Sequence, residues 1–135
     1  YVSVDPMLAV PGLRAALQRC AAPVIAVSPI VAGLAIKGPT AKMMAELAVP
    51  STAVAVAEHY RDLLDGYAID EADAALLEPL AEAGFAAIAA PTIMLTLADK
   101  VRLAELVCEF ARQRHAAAHL RGQLQRFRWA QYGRG

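Results

Sequence analysis

The chain has 135 residues, 58% of them hydrophobic, enough to bury one core of ordinary size and too apolar to remain disordered. Thirteen Lys and Arg offset thirteen Asp and Glu, which excludes a uniformly basic nucleic-acid binder or a uniformly acidic chain. The balance is local, however: residues 1–43 carry four cations against one acid, residues 44–110 three against twelve, and residues 111–135 six Arg against none.

The first run, "YVSV", is β-branched and reads as a strand; the chain starting inside such a run, without Met, leads us to expect a piece of something larger. Pro11-Gly12 then marks a turn, and "GLRAALQRC" reads as a short helix. "APVIAVS" follows, a continuous apolar run suited to a strand covered on both faces. No charge occurs from Cys20 to Ile36, but Pro23, Ser28, Pro29 and Gly33 interrupt that stretch, and it falls short of the roughly 20 residues a membrane helix needs. No membrane association is expected. Cys20 and Cys108 match no metal-ligand spacing and read as buried or incidental thiols of a reducing compartment, so the predicted location is cytoplasmic.

Pro39 sits where a first-turn proline is harmless, so "PTAKMMAEL" reads as a helix preceded by a Lys37-Gly38 loop. From Thr52, Ala53, Val56, Ala57, Tyr60 and Leu64 recur at three- and four-residue steps, giving an amphipathic helix with Gly66 as its left-handed stop. "YAI" reads as the third strand, Asp70 as the cap of the helix that follows, Asp73 as added charge suited to that helix's dipole, and Pro79 as a divider within it. Gly84 closes it, "FAAIAA" is the fourth strand, and Thr96 with Asp99 resembles a capping pair opening a last helix that runs past Phe110.

Such alternation predicts an α/β fold: part of a doubly wound, Rossmann-like, mainly parallel sheet with flanking helices, followed by a basic helical tail. In such sheets ligands sit beyond the carboxyl ends of the strands, the place occupied by "SPIVAGLAIKGP". Ala32, Gly33 and Gly38 would let an anion approach the backbone, with Lys37 adding a point charge; the alternative is a tightly packed turn and a solvated Lys37. His115 and His119 stand four apart on a helix but lack a third ligand, and no metal ligand is assigned. "EHYRDLLDGYAIDEAD", rich in carboxylates around His59, reads as a polar helix face plus a cap in preference to an acid/base centre. The Arg and aromatic residues of "RGQLQRFRWAQYGRG" fit a frayed terminus better than a single-strand platform, and nucleic acid is not expected as a partner.

Four segments, "MLAVPGLRAAL", "VSPIVAGLAIKGPTAKMMAEL", "HYRDLLDGYAIDEADAAL" and "LTLADKVRLAELV", carry a likeness in order and spacing. Through them the chain resembles the C-terminal part of the 2-phospho-L-lactate transferase family of coenzyme F-420 biosynthesis. The resemblance implies that residues 1–110 are the C-terminal portion of a transferase-like α/β domain; residues 111–135, set apart by their charge, read as a helical or disordered basic tail. The resemblance also implies transfer of a phospholactyl-type group from a guanosine diphosphate-activated donor to the deazaflavin alcohol Fo, with magnesium whose ligands belong to an N-terminal half outside this chain.

Carried over by position, Ser28, Pro29, Ile30, Val31 and Gly33, with Lys37 and Gly38, match substrate-binding positions; no residue is assigned a catalytic role. The chain departs from the family pattern at Ala32 in place of glycine, Leu34 in place of lysine and Pro91 in place of aspartate. An alanine where φ must be positive is costly. The expected activity is therefore that of a transferase segment inactive alone, associated with a missing N-terminal half or with copies of itself. The alternative is a non-catalytic remnant serving as a binding or assembly module.

Overall fold

The computed structural model describes residues 3–35 and 50–132. Two short helices, α1 (Val4–Leu8) and α2 (Leu13–Gln18), precede strand β1 (Ile25–Val27). A small antiparallel hairpin of β2 (Ile30–Val31) and β3 (Leu34–Ala35) follows, then helix α3 (Ala53–His59) and strand β4 (Gly66–Asp70). A 3-10 helix (Glu71–Leu76) runs into α4 (Leu77–Glu82), and strand β5 (Ala87–Ala90) leads to the long helix α5 (Leu97–Tyr132). Among the described residues no helix is long and apolar enough to cross a membrane.

β1, β4 and β5 form a parallel sheet in that order, with Ile25 opposite Gly66 and Tyr67 opposite Ala87. The α/β class read from the sequence is therefore present, and β4 lies at the centre with all five residues buried. Side chains alternate along a strand, so the two faces of β4 differ. Tyr67 and Ile69 enter the core with Val56 of α3, Tyr60 at its end, Leu80 of α4, and Phe85. Each such buried side chain contributes about 1.5–3 kcal/mol. Gly66 occupies the opposite face, where a β-carbon would lie 2.6 Å from Phe110 Cε1 of α5 and 2.8 Å from Ile25 Cδ1. The sheet is thus covered by α3 and α4 on one side and by α5 on the other.

Local signals account for most element ends. Thr52 accepts from the Ala55 amide (3.1 Å) to start α3. The Asp70 carboxylate accepts from Ala72 N–H (3.0 Å) to start the 3-10 helix. Pro79 lies in the first turn of α4 and lacks the N–H that would have continued the ladder back into that 3-10 helix, so the division falls just before it. Gly84 ends α4 at φ +88°, with its N–H donating to Ala81 O and that of Phe85 to Leu80 O, both at 2.9 Å. Thr96 and Asp99 cap α5 reciprocally: Asp99 N–H donates to Thr96 Oγ1 (3.2 Å) and Thr96 N–H to Asp99 Oδ2 (2.8 Å). α5 runs unbroken across Ala111, and at about 1.5 Å per residue its 36 residues far outreach the short strands it covers.

Three expectations are corrected. Of "YVSV", the described residues Ser3 and Val4 open a helix and no strand, because Asp5 and Pro6 suit a first helical turn and Leu8 is drawn into the core. Gly66 is not the stop of α3, which ends at the Tyr60 cap; it is a strand residue kept small by Phe110. β1 is not sealed on both faces, since Ile25 and Ala26 are half-buried and Val27 is 38% exposed; among the described residues it also lies at an edge of the sheet. Cys20 and Cys108 are both exposed and free, as the incidental one of the two readings has them.

Candidate functional site

Three segments meet at the carboxyl end of the sheet: the loop and hairpin after β1, the 3-10 helix after β4, and the loop after β5. The first is braced at Ser28. Its N–H donates to Ala68 O (2.8 Å), and its hydroxyl both donates to Ile30 O (3.0 Å) and accepts from Ile30 N–H (3.1 Å), folding the chain around Pro29. Ser28, Ile30 and Val31 are buried, whereas Pro29, Ala32, Gly33 and Leu34 reach the surface. Of the residues carried over by resemblance, the structure therefore places Pro29 and Gly33 where a ligand could touch side chain or backbone, and Ser28, Ile30 and Val31 behind them. Lys37 and Gly38 lie outside the described residues.

Ala32 (φ +49°) and Gly33 (φ +75°) form the two-residue tip between β2 and β3, both left-handed as a primed hairpin turn requires. The cost anticipated for alanine at this position is thus incurred. The Ala32 N–H donates to Asp73 Oδ2 at 2.9 Å, so a carboxylate from the segment after β4 already occupies that amide. Asp73 interrupts the 3-10 helix with non-helical angles, and its carboxylate serves the hairpin, a role that helix-dipole reasoning does not reveal.

Asp70 and Thr92 form the second element of the corner, and both are buried. Asp70 Oδ2 accepts from Thr92 Oγ1 (2.6 Å) and Thr92 N–H (3.0 Å), while Oδ1 takes the Ala72 amide (3.0 Å). Burial pushes the carboxyl up, but the Thr92 hydroxyl and the two amides outweigh it and hold Asp70 below the usual carboxylate range. Sequence reading assigned Asp70 only its cap; Thr92 was missed. Its signal was a hydroxyl placed two residues beyond the end of a strand, directly after Pro91. With three donors on one carboxylate, Asp70 is built to hold the ends of β4 and β5 together and not to exchange a proton.

Three further carboxylates of the acidic stretch, Glu58, Asp62 and Asp65, are engaged structurally. Asp62 pairs with Arg14 and accepts from Gln18, Glu58 pairs with Arg61, and Asp65 takes the Val24 amide at 2.8 Å. Arg61 also lies over the Phe85 ring (4.3 Å) and donates to Ala83 O. His59 meets Asp5 of α1 at 3.0 Å, which fixes α1 to the end of α3. His115 borders a small cavity of about 130 Å³ with Cys20, Asp65 and Arg114; the side chain of His119 lies outside the described residues. Among the described residues no three His, Cys, Asp or Glu side chains converge as metal ligands, and the Asp70 and Asp73 oxygens at the corner already accept protein donors. This part of the chain does not fit a magnesium site, and no step is derived through one.

Comparison with known proteins places this architecture. The family described as 2-phospho-L-lactate transferase CofD matches residues 1–93. The chain is 38% identical over 113 residues to a phosphoenolpyruvate transferase of Streptomyces griseus, covering 83% of this chain and 36% of that protein. It is 40% identical over 115 residues to the phosphoenolpyruvate transferase of Streptomyces coelicolor, covering 75% of this chain and 36% of the relative. A 2-phospho-L-lactate transferase of Methanosarcina mazei is 34% identical over 107 residues, covering 79% and 35% respectively. The chain thus spans about a third of the length of the curated relatives it matches. Its match over most of its length, on a parallel sheet with the hairpin at the carboxyl end, makes it a member of the 2-phospho-L-lactate transferase CofD family.

Proposed function

We propose that this chain supplies one wall of the substrate pocket of a transferase in coenzyme F-420 biosynthesis, and that it does not catalyse alone. The group moved is of the phospholactyl or phosphoenolpyruvyl type, since relatives of both names match the same chain. The donor is activated by guanosine diphosphate and the acceptor is the deazaflavin alcohol Fo, with magnesium held by residues outside the described part. The observation that carries this reading is the family match over residues 1–93, which contains the hairpin at the carboxyl end of the sheet. Catalysis in such a transfer rests mainly on positioning and charge neutralisation, so the described tip of this wall, Ala32 and Gly33, serves by shape, and Lys37 is the cation the loop adds.

The test is an assay of the purified chain with donor, Fo and magnesium, alone and together with the part of the Streptomyces griseus relative that has no counterpart in it. No turnover alone and measurable turnover with the added part is the expected result; turnover by the chain alone refutes the dependence. A second reading, a non-catalytic assembly module, draws on Ala32, Leu34 and Pro91 standing where the family pattern has glycine, lysine and aspartate. Turnover absent in both arms favours it.

A further inference from the structure

We infer that the edge of β1 that has no neighbour among the described residues, with the apolar cleft beside it, is a docking surface for a β-strand from the part of the family fold that lies outside these 135 residues. The inference rests on the family reading above.

In a parallel pair the backbone groups of alternate residues face one neighbour. Ser28 N–H donates to Ala68 O, and Val24 O accepts from the amides of Asp65 and Gly66, so even-numbered residues of this segment face β4. The N–H and C=O groups of Ile25 and Val27 therefore line the opposite edge, where the described sheet has no further strand. Edge strands that remain edges are usually protected by charge, proline or a bulge within the strand. β1 is short, three residues between Pro23 and Pro29, but within it there is no charge or proline: Ile25, Ala26 and Val27 are all apolar, inside a stretch from Cys20 to Ile36 without a charged residue. Such a composition belongs to an interior strand of a parallel sheet.

The flank of β1 agrees. A cavity of about 520 Å³ opens beside it, walled by Val27 of β1, Val4 and Leu8 of α1, Leu17 of α2, and Val56 and Leu64 of α3 or its end. Val27 and Val4 are 38% and 41% exposed, unlike the sealed side chains of β4. An extended segment with apolar side chains at alternate positions satisfies both features at once: its main chain pairs with Ile25 and Val27, and its side chains fill the cleft. The curated relatives carry nearly two thirds of their length beyond the matched region, 36% of the Streptomyces griseus protein being covered, which is ample chain to provide that strand.

The experiment mixes the full chain with the unmatched part of the Streptomyces griseus relative, co-expressed. Light scattering after gel filtration should give a one-to-one complex, and hydrogen exchange at the Ile25 and Val27 amides should slow at least tenfold on complex formation. Val27→Lys should weaken the complex at least tenfold, while Leu106→Lys, an equally exposed apolar site on α5, should leave it intact; far-ultraviolet circular dichroism of both variants reports folding. The inference is overturned if no complex forms, if those two amides exchange as fast in the complex, or if the chain alone is a dimer with both already protected, which would assign the edge to a second copy. Complex formation without turnover leaves the docking surface standing and removes the proposed function, so the two failures are distinguishable.

Discussion

Thr92 donates its hydroxyl to the Asp70 carboxylate at 2.6 Å, tying the loop after β5 to the end of β4 inside a buried corner. Two strands that are neighbours in the sheet are thereby held in register at the end where ligands bind in folds of this class.

Replacing this hydroxyl by a methyl tests the tie. Thr92→Val removes a hydrogen bond to a charged group and should cost about 1.5–3 kcal/mol at neutral pH in urea unfolding. Asp70 is held below its ordinary value of 3.8 when folded, so its stabilisation is present above that value and fades as pH falls through the lower, folded value. The difference between wild type and Thr92→Val should therefore shrink below about pH 3.8 and be steady from pH 5 to 7. An unchanged difference in acid would show that the carboxylate form of Asp70 is not what the hydroxyl serves.

Ala32 holds a left-handed conformation that disfavours any β-carbon. Ala32→Gly should raise stability by about 1 kcal/mol, read as a higher urea midpoint with unchanged slope. A lower midpoint would mean that the hairpin tip is not left-handed in solution.

Asp73 should be felt at the hairpin and not at its own helix. Asp73→Ala leaves the Ala32 amide without its acceptor, and that amide should exchange with solvent several-fold faster. The expected cost in stability is about 0.5–1.5 kcal/mol. Faster exchange confined to residues 71–76 would place the role of Asp73 in the 3-10 helix instead.

Gly66 and Phe110 should behave as a coupled pair. Gly66→Ala puts a methyl 2.6 Å from the Phe110 ring and should cost about 1–3 kcal/mol. Phe110→Leu, destabilising by itself, makes room for that methyl, so the double variant should be less destabilised than the two single changes added together. Strict additivity would show that the ring does not pack on Gly66.

Much of the fold was legible along the chain. Asp70, Gly84 and the Thr96–Asp99 pair were each identified as caps or stops, and each makes the expected local hydrogen bonds or left-handed turn; Thr52 caps α3 as well, although only the start of the periodicity was read there. The cost of Ala32 was legible through the resemblance, which has glycine at this position; that the position is the tip of a two-residue hairpin was not. "YVSV" misled because β-branched propensity is weak beside an aspartate and a proline placed for a first helical turn and a leucine with a core to enter. Gly66 misled because a glycine can be required by an empty φ region or by a close neighbour, and here the neighbour is Phe110, 44 positions away.

The candidate corner was only half legible. Resemblance located the loop from Ser28 to Gly33, but could not say that Ser28, Ile30 and Val31 would be buried, or that the Ala32 amide would be held by a carboxylate 41 positions away. Thr92, 22 positions from Asp70, carried no periodic or capping signal of its own.

By itself the sequence determined the α/β class and those element ends that carry a local cap or stop, Asp70, Gly84 and Thr96–Asp99, because caps, turns and periodicity depend on hydrogen bonds and steric limits within a few residues. Tertiary structure decided that β4 is central and β1 an edge, which carboxylates close the corner, and which loop residues face solvent. Those outcomes depend on which distant segments bury one another, and the alternatives differ by packing and desolvation terms that no short window contains.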